Sequence, residues 1–128
     1  MGTQYLLDSN IIIGFLDNRL PNKGMMFISE IVDTIPNMSV ISKIEVLRYN
    51  TTEFAMKILE DFINCSNVCE LDTKTVNETI QICRRSKIKL PDAIIAATCL
   101  LNKYILLTRN VKDFDHIADL RIINPWEL

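Results

Sequence analysis

The sequence predicts a three-layer α/β/α domain built on a five-stranded, mainly parallel sheet. Short apolar runs bounded by polar turns recur at residues 4–7, 38–41, 68–71, 104–108 and 121–123, and each has the length of a buried strand. Between them lie longer stretches with helical apolar spacing, at 10–17, 23–34, 42–48, 52–64, 73–86 and 92–103. Strands that alternate with helices in this way pair in parallel and are covered by their crossovers. The chain is 128 residues long, enough for one core and too short for two, so residues 1–128 are read as a single domain.

The elements follow in order. The first strand runs into Asp8, and Asp8, Ser9 or Asn10 can cap the helix behind it. Pro21 and Asn22 precede the second helix, and Pro36 and Asn37 precede the second strand. Ser42 and Glu45 stand three apart at the start of the third helix, the spacing of a capping box. The fourth helix, the third strand and the fifth helix follow without a linker or repeat. Pro91 opens the last helix. Its residues Ala93, Ile94, Ile95, Ala96, Ala97, Cys99, Leu100 and Leu101 are apolar nearly all round, which places it deep against the sheet. Asn102 is expected to supply its left-handed C-terminal turn. After the fourth strand, Asn110 is positioned to cap a short turn that Asp113 supports, and the last strand closes the chain.

Composition excludes several classes. Hydrophobic residues make up 48% and charged residues 23%, a balance that suits a packed globule and opposes disorder. The longest uncharged run, Ala93 to Asn102, is far short of the roughly 20 apolar residues that span a bilayer. Asp8 interrupts the first apolar run before an export signal could form, and Leu6 stands where a myristoylation start needs Ser or Thr. The expectation is a cytoplasmic protein with no membrane partner. Cys65, Cys69, Cys83 and Cys99 read as reduced thiols, with Cys83 and Cys99 inside apolar helical patterns and expected to be buried. Zinc is disfavoured, because no second Cys or His pair lies near Cys65 and Cys69 and His116 is the only histidine. The net charge of −2 opposes a broad basic surface for nucleic acid, but four acids committed to metal would leave +2 on the rest of the chain.

Those four acids are Asp8, Glu45, Asp92 and Asp113. Each has an ordinary capping or helix-dipole role available to it. Capping does not explain why they follow the first, second and fourth strands and also open the most buried helix. The carboxyl ends of parallel strands are where sites assemble. Four clustered carboxylates repel, and the cluster is costly unless divalent cations neutralise it. An all-oxygen set suits Mg²⁺ or Mn²⁺, and phosphodiester hydrolysis is the usual work of such a site.

Taken together, Leu7-Asp8-Ser9-Asn10, Ser42-Lys43-Ile44-Glu45, Leu90-Pro91-Asp92-Ala93-Ile94-Ile95-Ala96-Ala97, Thr108-Arg109-Asn110-Val111-Lys112-Asp113-Phe114 and Ile122-Ile123-Asn124-Pro125 resemble the PIN-domain family. In length the chain is similar to the VapC-like toxin ribonucleases of type II toxin–antitoxin pairs. The resemblance implies a Mg²⁺- or Mn²⁺-dependent endoribonuclease with Asp8, Glu45, Asp92 and Asp113 as catalytic and metal-site acids. It implies Ser9, Asn10, Thr108 and Asn110 as supporting polar groups, an RNA substrate, an antitoxin partner and a homodimer. Arg48, Arg109 and Lys112 flank these motifs and are the candidate substrate-binding cations. This chain carries Ser9 where family members commonly have Thr, and Asn102 where Gly often ends the helix.

The segment Ile11, Ile12, Ile13, Phe15, Leu16, Met25, Met26 and Phe27 is richer in apolar residues than one helix face needs. It reads as core, with an apolar groove for a partner's amphipathic helix as the alternative. A phosphoacceptor receiver domain is excluded because Asp8 is followed by Ser9 instead of a second acid. An Asp-x-Asp phosphatase is excluded because Asn10 occupies its second acidic position. A non-catalytic scaffold of the same fold, with the acids serving only as caps, is the remaining rival.

Overall fold

The computed structural model describes residues 2–128 and contains one five-stranded sheet in which every pairing is parallel. The elements run β1 (Tyr5–Leu7), α1 (Ser9–Leu16), α2 (Asn22–Val32), β2 (Asn37–Ser39), α3 (Val40–Leu47), α4 (Glu53–Asn64), β3 (Asn67–Cys69), α5 (Thr73–Arg85), α6 (Leu90–Asn102), β4 (Ile105–Leu107) and β5 (Ile122–Ile123). Two short 3₁₀ turns, Val111–Asp113 and Pro125–Glu127, lie before and after β5. The strand order is β3-β2-β1-β4-β5.

Alternation along the strands divides the core in two. Leu6 and Leu106, paired across β1 and β4, point to one face with Ile82 of α5, Ala93 and Ile95 of α6, and Phe114. Leu7 and Leu107, one residue on, point to the other face with Ile11 and Ile12 of α1, Ile28 of α2, Met38 and Val46. The period of two puts successive side chains in opposite layers, so three-residue strands suffice to join two hydrophobic cores. Burying a Leu or Ile side chain stabilises by roughly 1.5–3 kcal/mol. α6 supplies seven consecutive buried residues, Ala93 to Cys99, as its all-round apolar pattern implies.

The structure moves several boundaries. β2 stops at Ser39, and Ser39 caps α3 by accepting a hydrogen bond from the Ile41 amide at 3.1 Å. Ser42 lies inside the helix, so the Ser42–Glu45 capping box does not form. Ser39 is the earlier residue with a short hydroxyl, and the chain turns as soon as that acceptor is available. Lys103, at φ 58°, takes the left-handed position expected of Asn102. The Asn102 side chain instead donates back to the Thr98 carbonyl at 2.8 Å, which holds it in the last helical turn. Cys83 is exposed, because α5 buries the Thr75, Thr79 and Ile82 stripe and leaves Cys83 beyond its edge. Cys65 is exposed at the end of α4; Cys99 is buried, and all four thiols are free.

The apolar segment of α1 and α2 is mainly core. Ile11, Ile12 and Ile28 are fully enclosed, while Met26 is 67% exposed. No helix among the described residues is long and apolar enough to cross a membrane.

Candidate active site

Strand β1 lies at the point where the order reverses, with β2 on one side and β4 on the other. At such a switch point the segments leaving neighbouring strands diverge and open a crevice. Asp8 leaves β1 into this crevice, Glu45 is carried by α3 after β2, and Asp113 follows β4. Asp92 comes from the first turn of α6, which packs on β2 and β4.

Asp8 is the fixed member. It is 5% exposed and caps α1, its Oδ1 accepting from the Ser9 amide at 2.9 Å. Its Oδ2 accepts from the Thr108 hydroxyl at 2.8 Å and from Asn10 Nδ2 at 3.2 Å. Asn10 Oδ1 then accepts from the Arg109 amide at 3.0 Å, and Thr108 Oγ1 accepts from the Asn110 amide at 3.1 Å. This lattice ties the end of β1 to the end of β4. Asn10 and Thr108 thus bond Asp8 through their side chains and Ser9 through its backbone amide. Asn110 contributes through its backbone; its side chain makes no capping bond on the following turn.

The four acids feel one another. Burial raises the carboxyl of Asp92 to about 6, and the negative charges of Asp113, Asp8 and Glu45 push in the same direction, against a smaller opposing effect of Lys89. Glu45, half-buried, is raised by desolvation and by Asp8, while Ser9 and Arg48 oppose the shift. Asp8 is raised by its burial in spite of its hydrogen bonds, with a further contribution from Asp113. Costly mutual repulsion at one spot is a signature of a functional site.

The donors suit a hard divalent cation. They are carboxylate oxygens, and Asp8 retains acceptor capacity beyond the bonds it makes. Among the described residues no three His, Cys, Asp or Glu side chains are placed to hold one metal ion, and Glu45, Asp92 and Asp113 are less buried than Asp8.

Two pockets flank Asp113. One, of about 450 Å³, is lined by Asp92 and Asp113 together with Lys87, Ile88, Lys89, Lys112 and His116. The other, of about 520 Å³, holds Arg109 and Asn110 beside Asp113. Of the candidate cations, Lys112 reaches both pockets. Arg109 lies over the Trp126 ring, 4.6 Å from its centroid. Arg48 ends α3 close enough to act on Glu45. Lys87 and Lys89 were not singled out from the sequence, although residues 84–89 hold four of the 14 basic residues and lead directly to Asp92.

An acidic crevice at the switch point of a parallel sheet, covered by helices on both faces, defines an α/β protein with its carboxylates gathered at the strand ends. The PIN domain model matches residues 5–120, and the chain belongs to the PIN domain family. No curated protein matches it. Among solved structures it is similar to a toxin–antitoxin complex from Klebsiella pneumoniae, with 26% identity, a TM-score of 0.79, and coverage of 98% of this chain and 100% of the other. It is similar also to VapBC-1 from nontypeable Haemophilus influenzae (25% identity, TM-score 0.75, 98% and 100% covered). DNA-bound VapBC from Salmonella typhimurium shares the fold (21% identity, TM-score 0.80, 97% and 99% covered).

Proposed function

We propose that this PIN domain protein is a divalent-metal-dependent endoribonuclease, the toxin of a toxin–antitoxin pair. The observation that carries the reading is the convergence of Asp8, Glu45 and Asp113 on Asp92, whose carboxyl all three repel at the strand ends. The similarity to toxin–antitoxin complexes supports the biological role.

Asp8, Asp92 and Asp113 are the principal ligands for Mg²⁺ or Mn²⁺, with Glu45 beside them. A bound ion supplies charge neutralisation at the phosphate and lowers the pKa of water. Asp8 holds the site rigid through Thr108, Asn10 and the Ser9 amide. Ser9 lies near Glu45 and favours its charged form. Glu45 serves either as a ligand through water or as the base that takes the proton from the attacking water. A Glu45→Gln variant separates these roles: loss of cutting with Mn²⁺ binding retained marks the base.

An antitoxin helix would seat in the groove between α1 and the α3–α4 region, lined by Ile13, Leu16, Tyr49 and Ile58, of which Tyr49 and Ile58 are about two-fifths exposed. The protein acts in the cytoplasm as a homodimer.

The test incubates partner-free protein with total RNA and Mg²⁺ or Mn²⁺, beside a chelated control and Asp8→Asn. Metal-dependent cutting that the variant loses is expected. Folded protein that neither binds Mn²⁺ nor cuts would leave the fold as a partner-binding scaffold.

A further inference from the structure

The protein carries a net charge of −2, yet its basic residues are unevenly placed. Arg84, Arg85, Lys87 and Lys89 form a run with no acid among them, from the last turn of α5 to the residue before α6. Ile88 packs against the core beneath α6 and anchors this loop. Lys87 and Lys89, on either side of it, are exposed and line the 450 Å³ pocket beside Asp92 and Asp113. Lys112 comes to the same pocket from the turn after β4. Three cations thus face two carboxylates in one open cleft.

The lysines do not close onto those carboxylates. Among the described residues the ion pairs are Arg19 with Asp17, Lys57 with Asp61, and His116 with Asp115. Lys87, Lys89 and Lys112 have none; Lys89 lies near enough to Asp92 to favour its charged form, but no contact pair ties up the three ammonium groups, which stay accessible to an anion brought from outside. If they served to neutralise the acids, contact pairs at Asp92 and Asp113 would be the cheaper arrangement. A row of free cations alongside a carboxylate cluster fits a polyanion whose one phosphate lies at the acids and whose neighbours lie along the row.

We propose that Lys87, Lys89 and Lys112 form a phosphate track that holds the RNA strand on the α5–α6 side of the acidic site, in the cleft that Asp92 and Asp113 close. The proposal rests on the nuclease reading above and adds the direction in which the strand leaves the site. Arg109, held over Trp126 on the other side of Asp113, lies off the track. The three lysines are positioning residues. Each neutralises a flanking phosphate and releases counterions, which weakens binding as salt rises with a log–log slope of roughly 0.7 per cation on a single strand.

The test measures fluorescence anisotropy of a labelled, mixed-sequence, single-stranded oligoribonucleotide in Mg²⁺ across a NaCl series, in the Asp8→Asn background. Lys87→Gln/Lys89→Gln/Lys112→Gln is compared with the charge-matched Lys23→Gln/Lys57→Gln/Lys74→Gln, and circular dichroism verifies folding. Loss of at least about tenfold in affinity, with a salt slope shallower by about 2, is expected for the first triple alone. The Lys→Arg triple at the same three positions should keep the slope. Equal behaviour of the two Gln triples would overturn the track; if wild-type protein still cuts RNA, the nuclease reading survives that result. Folded wild-type protein that neither binds nor cuts would remove both.

Discussion

The side chains at the strand ends carry two duties, and the pH dependence separates them. Asp8 caps α1 and belongs to the acidic cluster at once. Asp92 is the member whose ionisation burial and repulsion oppose most visibly, its carboxyl raised to about 6. A carboxyl whose folded pKa exceeds its unfolded value contributes stability below the unfolded value, and that contribution is lost as pH rises through the folded one. Metal-free protein is therefore expected to lose thermal stability between about pH 4 and 7, and Asp92→Asn should flatten that decline while abolishing cleavage. Melting curves across this range check it; a wild-type profile identical to the variant's would show that Asp92 is not strained. Thr108→Val removes the hydroxyl that donates to Asp8 Oδ2 at 2.8 Å. Loss of a group that orients a metal ligand costs about 10- to 100-fold in metal affinity or activity, and Mn²⁺ titration should register it.

At the scale of elements, two features of the packing make opposite predictions. Ser42 is fully buried in α3, and its hydroxyl has no hydrogen-bond partner. An unpaired buried polar group costs about 1–3 kcal/mol, so Ser42→Ala should raise stability in a urea titration; a decrease would reveal a partner for that hydroxyl. Gly14 in α1 faces the Trp126 ring so closely that a Cβ would collide with it, and Gly24 in α2 stands equally close to the Pro125 backbone. These two glycines let the C-terminal 3₁₀ turn lie flat on both helices. Gly14→Ala should destabilise by roughly 1–3 kcal/mol through overpacking and should displace Arg109 from the indole. The Trp126 fluorescence spectrum would shift with the melting point. Neither glycine was readable as a contact in the sequence, because the residues that need the space arrive more than 100 positions later.

For the molecule as a whole, the proposed metal site would couple folding to cation binding. Mn²⁺ that binds only the folded state stabilises it by mass action, by about 2.7 kcal/mol at a hundred times its dissociation constant. Above pH 6 the ion also relieves the repulsion around Asp92. The melting point at pH 7.5 is accordingly expected to rise with Mn²⁺ more than at pH 5, and Asp8→Asn should reduce the rise at both. Scanning calorimetry at the two pH values decides this, and an equal rise in the variant would place the ion elsewhere.

The sequence by itself determined the layer architecture. Strand and helix periods are local properties, and their alternation leaves few ways to bury both faces of a parallel sheet. It also picked out Asp8, Glu45, Asp92 and Asp113 as one set, since their places after strands and before a buried helix do not depend on exact boundaries. The tertiary structure decided what depends on competition or on distance. Ser39 won the cap that Ser42 was expected to hold, and Lys103 took the turn assigned to Asn102. Both outcomes turn on single hydrogen bonds between neighbouring positions of similar propensity. The grouping of the α5–α6 loop with the turn after β4, which brings Lys87 and Lys89 to Lys112, required the strand order β2-β1-β4. No local pattern encodes that order, because it is set by which crossovers can bury their apolar faces together.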